Sequence, residues 1–162
     1  LVDVKNIFLL LNAIKGTKIG LDIIGEGYLK KEIINFINVQ KLDVKIFPCY
    51  DNNHLPKIIN KYYIYILCSR IEGNPKTLLE VMSCGIPVIG TDVKGIKEVI
   101  SHNHNGILSI DNELELRKNI LKLYANKKKQ NILSNNARQL ITKHCSLENY
   151  LDYEINTYKL LI

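Results

Sequence analysis

Short apolar, β-branched runs alternate with stretches whose apolar residues recur every three or four positions, and the alternation continues to about residue 110. This feature constrains the chain most, because each change of hydrophobic period marks a change between strand and helix. The first helix is expected to carry Val4, Ile7, Leu10, Leu11 and Ile14, with Gly16 closing it. A strand over residues 18–24 follows, then a turn at Gly25-Glu26-Gly27 and a helix with Leu29, Ile33, Ile34 and Ile37 on one face. Further strands are expected over 44–47, 64–68, 87–90 and 106–110, separated by helices over 55–60, 75–85 and 96–100. Beyond Asp111, read as an N-cap, strands cease. The next helix bears Leu114, Leu116, Ile120 and Leu123; two more span 127–144 and 146–161, the last with Tyr150, Tyr153 and Tyr158 at the spacing of a packing face.

Strands that alternate with helices pair in parallel through right-handed crossovers. Runs apolar on both faces belong to a sheet covered by helices on both sides. The expected fold class is therefore α/β: a doubly wound, Rossmann-like parallel sheet with a helical C-terminal tail. Such sheets bind ligands beyond the carboxyl ends of their strands, which selects the loops after Ile24, Phe47, Cys68 and Ile89.

Length and composition narrow the partners. The 162 residues suit one domain or one half of a larger enzyme, and 46% hydrophobic with 23% charged residues is a globular balance. No apolar run approaches the roughly 18 residues of a membrane-spanning helix. Leu1-Val2-Asp3-Val4-Lys5 lacks the charged-then-apolar pattern of a signal peptide. The net charge of +6 admits anionic partners, but Lys127-Lys128-Lys129 has no interleaved aromatic residues for base stacking. That run reads as a solvated helix face, and nucleic acid is not expected. Cys49, Cys68, Cys84 and Cys145 form no close pair, and His54, His102, His104 and His144 show no ligand spacing. Reduced thiols in a cytoplasmic protein and no metal are expected.

The loop after Cys68 runs Ser69-Arg70-Ile71-Glu72-Gly73-Asn74-Pro75 into Lys76-Thr77-Leu78-Leu79-Glu80. Asn74 is expected to cap a helix with Pro75 in its first turn, leaving the amides of Lys76, Thr77 and Leu78 without partners. Such a helix end attracts anions, phosphate above all. Its dipole contributes only about 0.3–1 kcal/mol when exposed, so a diphosphate site needs a cation as well. Glu72 lies before the helix and Glu80 near its sheet-facing side, because Leu78, Leu79 and Met82 face the core. A carboxylate there needs partners, and ligand hydroxyls are good ones. Paired acids also fit a glycosidase, but the chain has no Trp and 7% aromatic residues to stack on a sugar. Gly25-Glu26-Gly27 resembles the start of a dinucleotide fingerprint with Lys30 in place of the third glycine; Gly25 is read as a point of close backbone approach. No Walker-type loop or Gly-x-Ser-x-Gly elbow occurs.

Glu72 to Glu80, continuing through Val81-Met82-Ser83-Cys84-Gly85-Ile86-Pro87-Val88-Ile89-Gly90-Thr91, resembles glycosyltransferase family 4, retaining nucleotide-sugar-dependent enzymes of the GT-B fold. Gly95 with Glu98, Asn105-Gly106 and, upstream, Asp22-Ile23-Ile24-Gly25-Glu26-Gly27 extend the likeness over nearly the whole chain. The resemblance implies that Glu80 holds the donor's ribose hydroxyls and that Glu72 contacts the transferred sugar. It implies that Gly73, Asn74, Pro75, Lys76, Thr77 and Leu78 wrap sugar and diphosphate, and that Lys5 neutralises the diphosphate. The base would lie near Pro48, Cys49 and Tyr50. A UDP- or GDP-sugar is then the donor substrate, with no metal or other cofactor.

The same resemblance implies that residues 1–162 are a single donor-binding domain, the second of two in a GT-B enzyme. Most of its first strand, and an arginine five positions before Lys5, would precede Leu1. The helix over 146–162 would pack on the N-terminal domain, which would bring the glycan or lipid-linked acceptor. Such acceptors would place the enzyme in the cytoplasm, with peripheral contact at the inner membrane face. A non-catalytic α/β regulatory module and a GT-B sugar-nucleotide epimerase are the alternative readings.

Overall fold

The computed structural model describes residues 1–145 and 147–160. A short 3-10 turn at Asp3–Lys5 leads into α1 (Ile7–Ile14), β1 (Leu21–Ile24), α2 (Lys30–Gln40), β2 (Val44–Phe47) and α3 (Leu55–Ile59). β3 (Tyr65–Leu67), α4 (Lys76–Ser83), β4 (Val88–Thr91), α5 (Lys94–Lys97) and β5 (Ile107–Ser109) follow. The chain ends in α6 (Glu113–Tyr124), α7 (Lys127–His144) and α8 (Leu147–Lys159). All strand pairs are parallel, in the orders β1-β2 and β3-β4-β5. The strands form two sheets, and within each they end together, with Ile24 opposite Phe47, Leu67 opposite Gly90 and Thr91 opposite Ser109, so the loops of each sheet leave from its carboxyl edge.

Side chains alternate across each strand, and β4 is buried at all four positions. Val88 joins a core made by α4, α5 and α7: Leu78, Val81, Met82, Ile96, Ala137 and Ile141. Ile89 faces the opposite core, with Leu10 and Ile14 of α1, Leu116, Ile120 and Leu123 of α6, and Leu133. A third cluster, Leu11, Ile23, Leu29, Ile33 and Ile37, packs α1 and α2 on β1. Helices on both faces of parallel strands are the doubly wound arrangement. No described helix is long and apolar enough to cross a membrane.

Several local features differ from the sequence reading. Val4 is not on α1, because Asn6 adopts a left-handed conformation (φ 51°) and breaks the helical repeat behind Val4. The first strand begins at Leu21, not residue 18. Asn112, not Asp111, caps α6: its side chain accepts from the Leu114 and Glu115 amides. Asp111 instead accepts from Asn6 Nδ2 at 3.0 Å and lies 3.8 Å from Arg70 Nε. Tyr153 and Tyr158 are exposed on α8. The Tyr150 side chain and the end residues 146, 161 and 162 lie outside the described residues.

Leu1 to Lys5 connects the two groups of strands at their carboxyl edge. The Leu1 amine donates to the Glu26 carbonyl and its own carbonyl accepts from Leu29, while the Val4 carbonyl accepts from Arg70 at 2.8 Å. Gly27 (φ 156°) has the Leu1 backbone where a Cβ would stand. Gly25 has only Leu1 Cδ2 at 3.9 Å there, so the close backbone pass expected at Gly25 falls at Gly27. Gly25 is constrained by its φ of 145° instead, which disfavours any side chain.

Candidate functional site

Beyond β3 the chain stays buried through Cys68 and Ser69 and then emerges as the loop to α4. The Thr91 hydroxyl, at the end of β4, donates to the Ser69 carbonyl at 2.5 Å. Gly95, in the first turn of α5, lies under the loop, and a Cβ there would collide with the Glu72 and Gly73 carbonyl oxygens. β4 and α5 thus set the height of the loop.

Glu72 lies inward on that loop with its side chain 13% exposed. Its Oε2 accepts from Lys5 Nζ at 2.8 Å and from Ser69 Oγ at 2.8 Å. No described residue hydrogen-bonds its Oε1. The Lys5 side chain is 41% exposed, so its ammonium can reach a ligand as well as Glu72. Residues 67 positions apart in the sequence therefore meet as one site.

α4 begins at Lys76 with Pro75 as its cap, and the Asn74 side chain makes no capping bond. The Asn74 carbonyl accepts from Lys76 (2.9 Å) and the Pro75 carbonyl from Leu78 (2.9 Å) and Leu79 (3.1 Å). The expected trio of free amides at Lys76, Thr77 and Leu78 is thereby reduced to Thr77. Upstream, Gly73 and Asn74 compensate, since their amides donate to no described residue. Gly73, Asn74 and Thr77 are exposed, and amides at a helix start that donate to no described residue can receive an anion.

Glu80 is half-buried on α4, and no described residue pairs with its carboxylate. The Tyr65 hydroxyl, 2.9 Å from Thr77 Oγ1, lies within electrostatic range of both glutamates. Burial above all pushes that hydroxyl up to about 12, against the lowering effect of its bond with Thr77, and the Glu72 and Glu80 charges add smaller rises. The two carboxylates thus flank the start of α4 from the loop side and the helix side.

Gly25 follows β1, and Cys49 and Tyr50 follow β2, in the two-stranded sheet. The Gly25 amide donates to the Phe47 carbonyl at 2.9 Å, so the β1 and β2 loops leave side by side. Cys49 is exposed and Tyr50 half-buried; no hydrogen bond among the described residues ties either to the loop after β3. Ser69 and Thr91 carry no assigned role in the sequence, and Gly95 is marked there only by the family resemblance. A hydroxyl residue directly after an apolar strand was the available signal for Ser69. No group of three or more His, Cys, Asp or Glu side chains arranged to hold a metal occurs among the described residues.

A doubly wound parallel sheet with these loops at its carboxyl edge is an α/β fold that can bind a ligand there. The sequence model for glycosyl transferases group 1 matches residues 1–140, and the chain belongs to that family. It is 29% identical over 144 residues to an uncharacterised glycosyltransferase of Methanocaldococcus jannaschii, covering 88% of this chain and 41% of that protein. It is 26% identical over 131 residues to the Escherichia coli UDP-Gal:α-D-GlcNAc-diphosphoundecaprenol α-1,3-galactosyltransferase, covering 80% of this chain and 34% of that enzyme. The fold matches Anabaena HepE, solved in complex with UDP and glucose, with a TM-score of 0.89 at 19% identity, over 98% of this chain and 46% of that one. The chain thus spans less than half the length of each of these proteins.

Proposed function

We propose that the chain is the donor-binding half of a retaining glycosyltransferase that moves a sugar from a UDP- or GDP-sugar to a glycan or lipid-linked acceptor. The observation that carries this reading is the meeting of Lys5 and Glu72 beside three unpaired amides, at Gly73, Asn74 and Thr77. The amides and Lys5 receive the diphosphate, Glu80 takes the ribose hydroxyls, and Glu72 faces the transferred sugar. Gly25, Cys49, Tyr50, Pro75, Lys76 and Leu78 complete the donor cleft, mainly through backbone.

When the bond between sugar C1 and the diphosphate oxygen breaks, the electron pair stays on the leaving phosphate. Fixed N–H groups and an ammonium stabilise that developing charge without reorganising, which is usually the largest catalytic contribution. In this reading those groups meet the charge without a metal. The E. coli relative, named for a UDP-sugar donor and a diphosphoundecaprenol-linked acceptor, supports the donor and acceptor classes. A strand ahead of Leu1 would continue the Leu1–Lys5 segment between β1 and β3, and an upstream domain would bring the acceptor. A lipid-linked acceptor would hold the enzyme peripherally at the inner membrane face.

A thermal-shift panel of nucleoside diphosphates on the full-length protein tests the reading. UDP or GDP at about 100 times its Kd is expected to stabilise the protein by about 2.7 kcal/mol. No response to any nucleoside diphosphate refutes it.

A further inference from the structure

We infer that Ser69 is a positioning residue that aims Glu72, an inference that rests on Glu72 facing the transferred sugar. Ser69 is fully buried, so no water competes for its single hydroxyl proton, which it donates to Glu72 Oε2 at 2.8 Å. Its own backbone is fixed from β4, where Thr91, 3% exposed, donates to the Ser69 carbonyl. The hydroxyl is thus a rigid donor on the sheet, whereas the other donor to the same oxygen, Lys5, is a long side chain 41% exposed. Both donors hold Oε2 and leave Oε1 open. When Lys5 turns toward a bound diphosphate, Ser69 is the donor that stays. Thr91, Ser69 and Glu72 then form a relay that keeps one carboxylate oxygen clamped and the other presented to the sugar.

The test uses the full-length enzyme with the UDP- or GDP-sugar that it turns over, and UDP or GDP for binding. Ser69→Ala is expected to lower kcat by about 10- to 100-fold, the effect of one lost charge-assisted hydrogen bond, and to leave nucleotide Kd within about twofold. In a Glu72→Gln background the same change is expected to add less than about twofold, because the carboxylate it serves is already gone. Ser69→Cys keeps the size and weakens the donor; it carries the test if the Ala variant does not fold, and its kcat must fall with Kd unchanged. Wild-type kcat in either variant overturns the role, as does equal loss of kcat and affinity or a full multiplicative loss on top of Glu72→Gln. A wild-type protein that binds no nucleotide overturns the donor reading, and this role with it. A wild type that binds and turns over while its Ser69 variants match it overturns the role alone.

Discussion

Gly95→Ala separates local helix propensity from the close approach that seats the loop. In α5 an alanine in place of glycine stabilises by about 0.5–1 kcal/mol if space allows. Space does not allow it: the new Cβ meets the backbone oxygens of Glu72 and Gly73, which cannot rotate away as a side chain does. Overpacking of this kind costs about 1–3 kcal/mol, and contact with two fixed oxygens argues for the upper part of that range. The net loss is about 2 kcal/mol, or a fall of about 4–8 °C in Tm at about 2–4 °C per kcal/mol for a domain this size. If the loop instead shifts by about 1 Å to relieve the contact, Tm recovers but Glu72 is misplaced, which costs about 100-fold in turnover. Differential scanning calorimetry and donor turnover on the same preparation read both branches. A variant with raised Tm and wild-type turnover would refute the argument that Gly95 sets the loop.

Lys5→Ala and Glu80→Ala are each expected to weaken nucleoside diphosphate binding by about 1.5–3 kcal/mol in calorimetry, and unchanged affinity in both removes the assigned roles. Burial pushes the Cys68 thiol from 9.0 up to about 12 and the Tyr65 hydroxyl from 10.0 up to about 12. Both groups fold neutral, so their contribution is intact below pH 9 and lost as pH rises from about 9 to 12; Tm is expected to fall over that window, and less steeply in Cys68→Ala between pH 9 and 10. A Tm flat to pH 11 contradicts the burial of these groups. Arg117 donates to the Ala13, Asn12 and Lys15 carbonyls at 2.7–2.9 Å, closing the end of α1. Arg117→Ala is expected to cost about 2–3 kcal/mol in urea unfolding, and an unmoved midpoint argues against that clamp.

Much of the fold was legible because each change of hydrophobic period is local: Val88 to Thr91 and Ile107 to Ser109 are apolar enough to be strands on sight. The misplacements have local physical causes. Asp111 and Asn112 are both good caps, and only the ion pair with Arg70 and the bond from Asn6 decide between them. Asn6 takes a left-handed conformation without being glycine, so the break before α1 left no strong mark. Glu72 and Glu80 stand out as candidates from the loop itself, Lys5 only through the family resemblance. The bonds that orient Glu72 were not legible, because Thr91 to Ser69 and Gly95 to the loop are tertiary approaches with no periodic signature. The exchange of free amides, from Lys76 and Leu78 to Gly73 and Asn74, follows from Pro75 acting as the cap rather than the first helical residue.

The most direct measurement is a crystal structure of the full-length protein with UDP or GDP bound. Diphosphate oxygens are expected within about 3 Å of the Gly73, Asn74 and Thr77 amides. The ribose hydroxyls are expected on Glu80, with Lys5 turned to the phosphates. Nucleotide bound elsewhere, or the same cleft occupied with Glu80 pointing away from the ribose, would refute the assigned site.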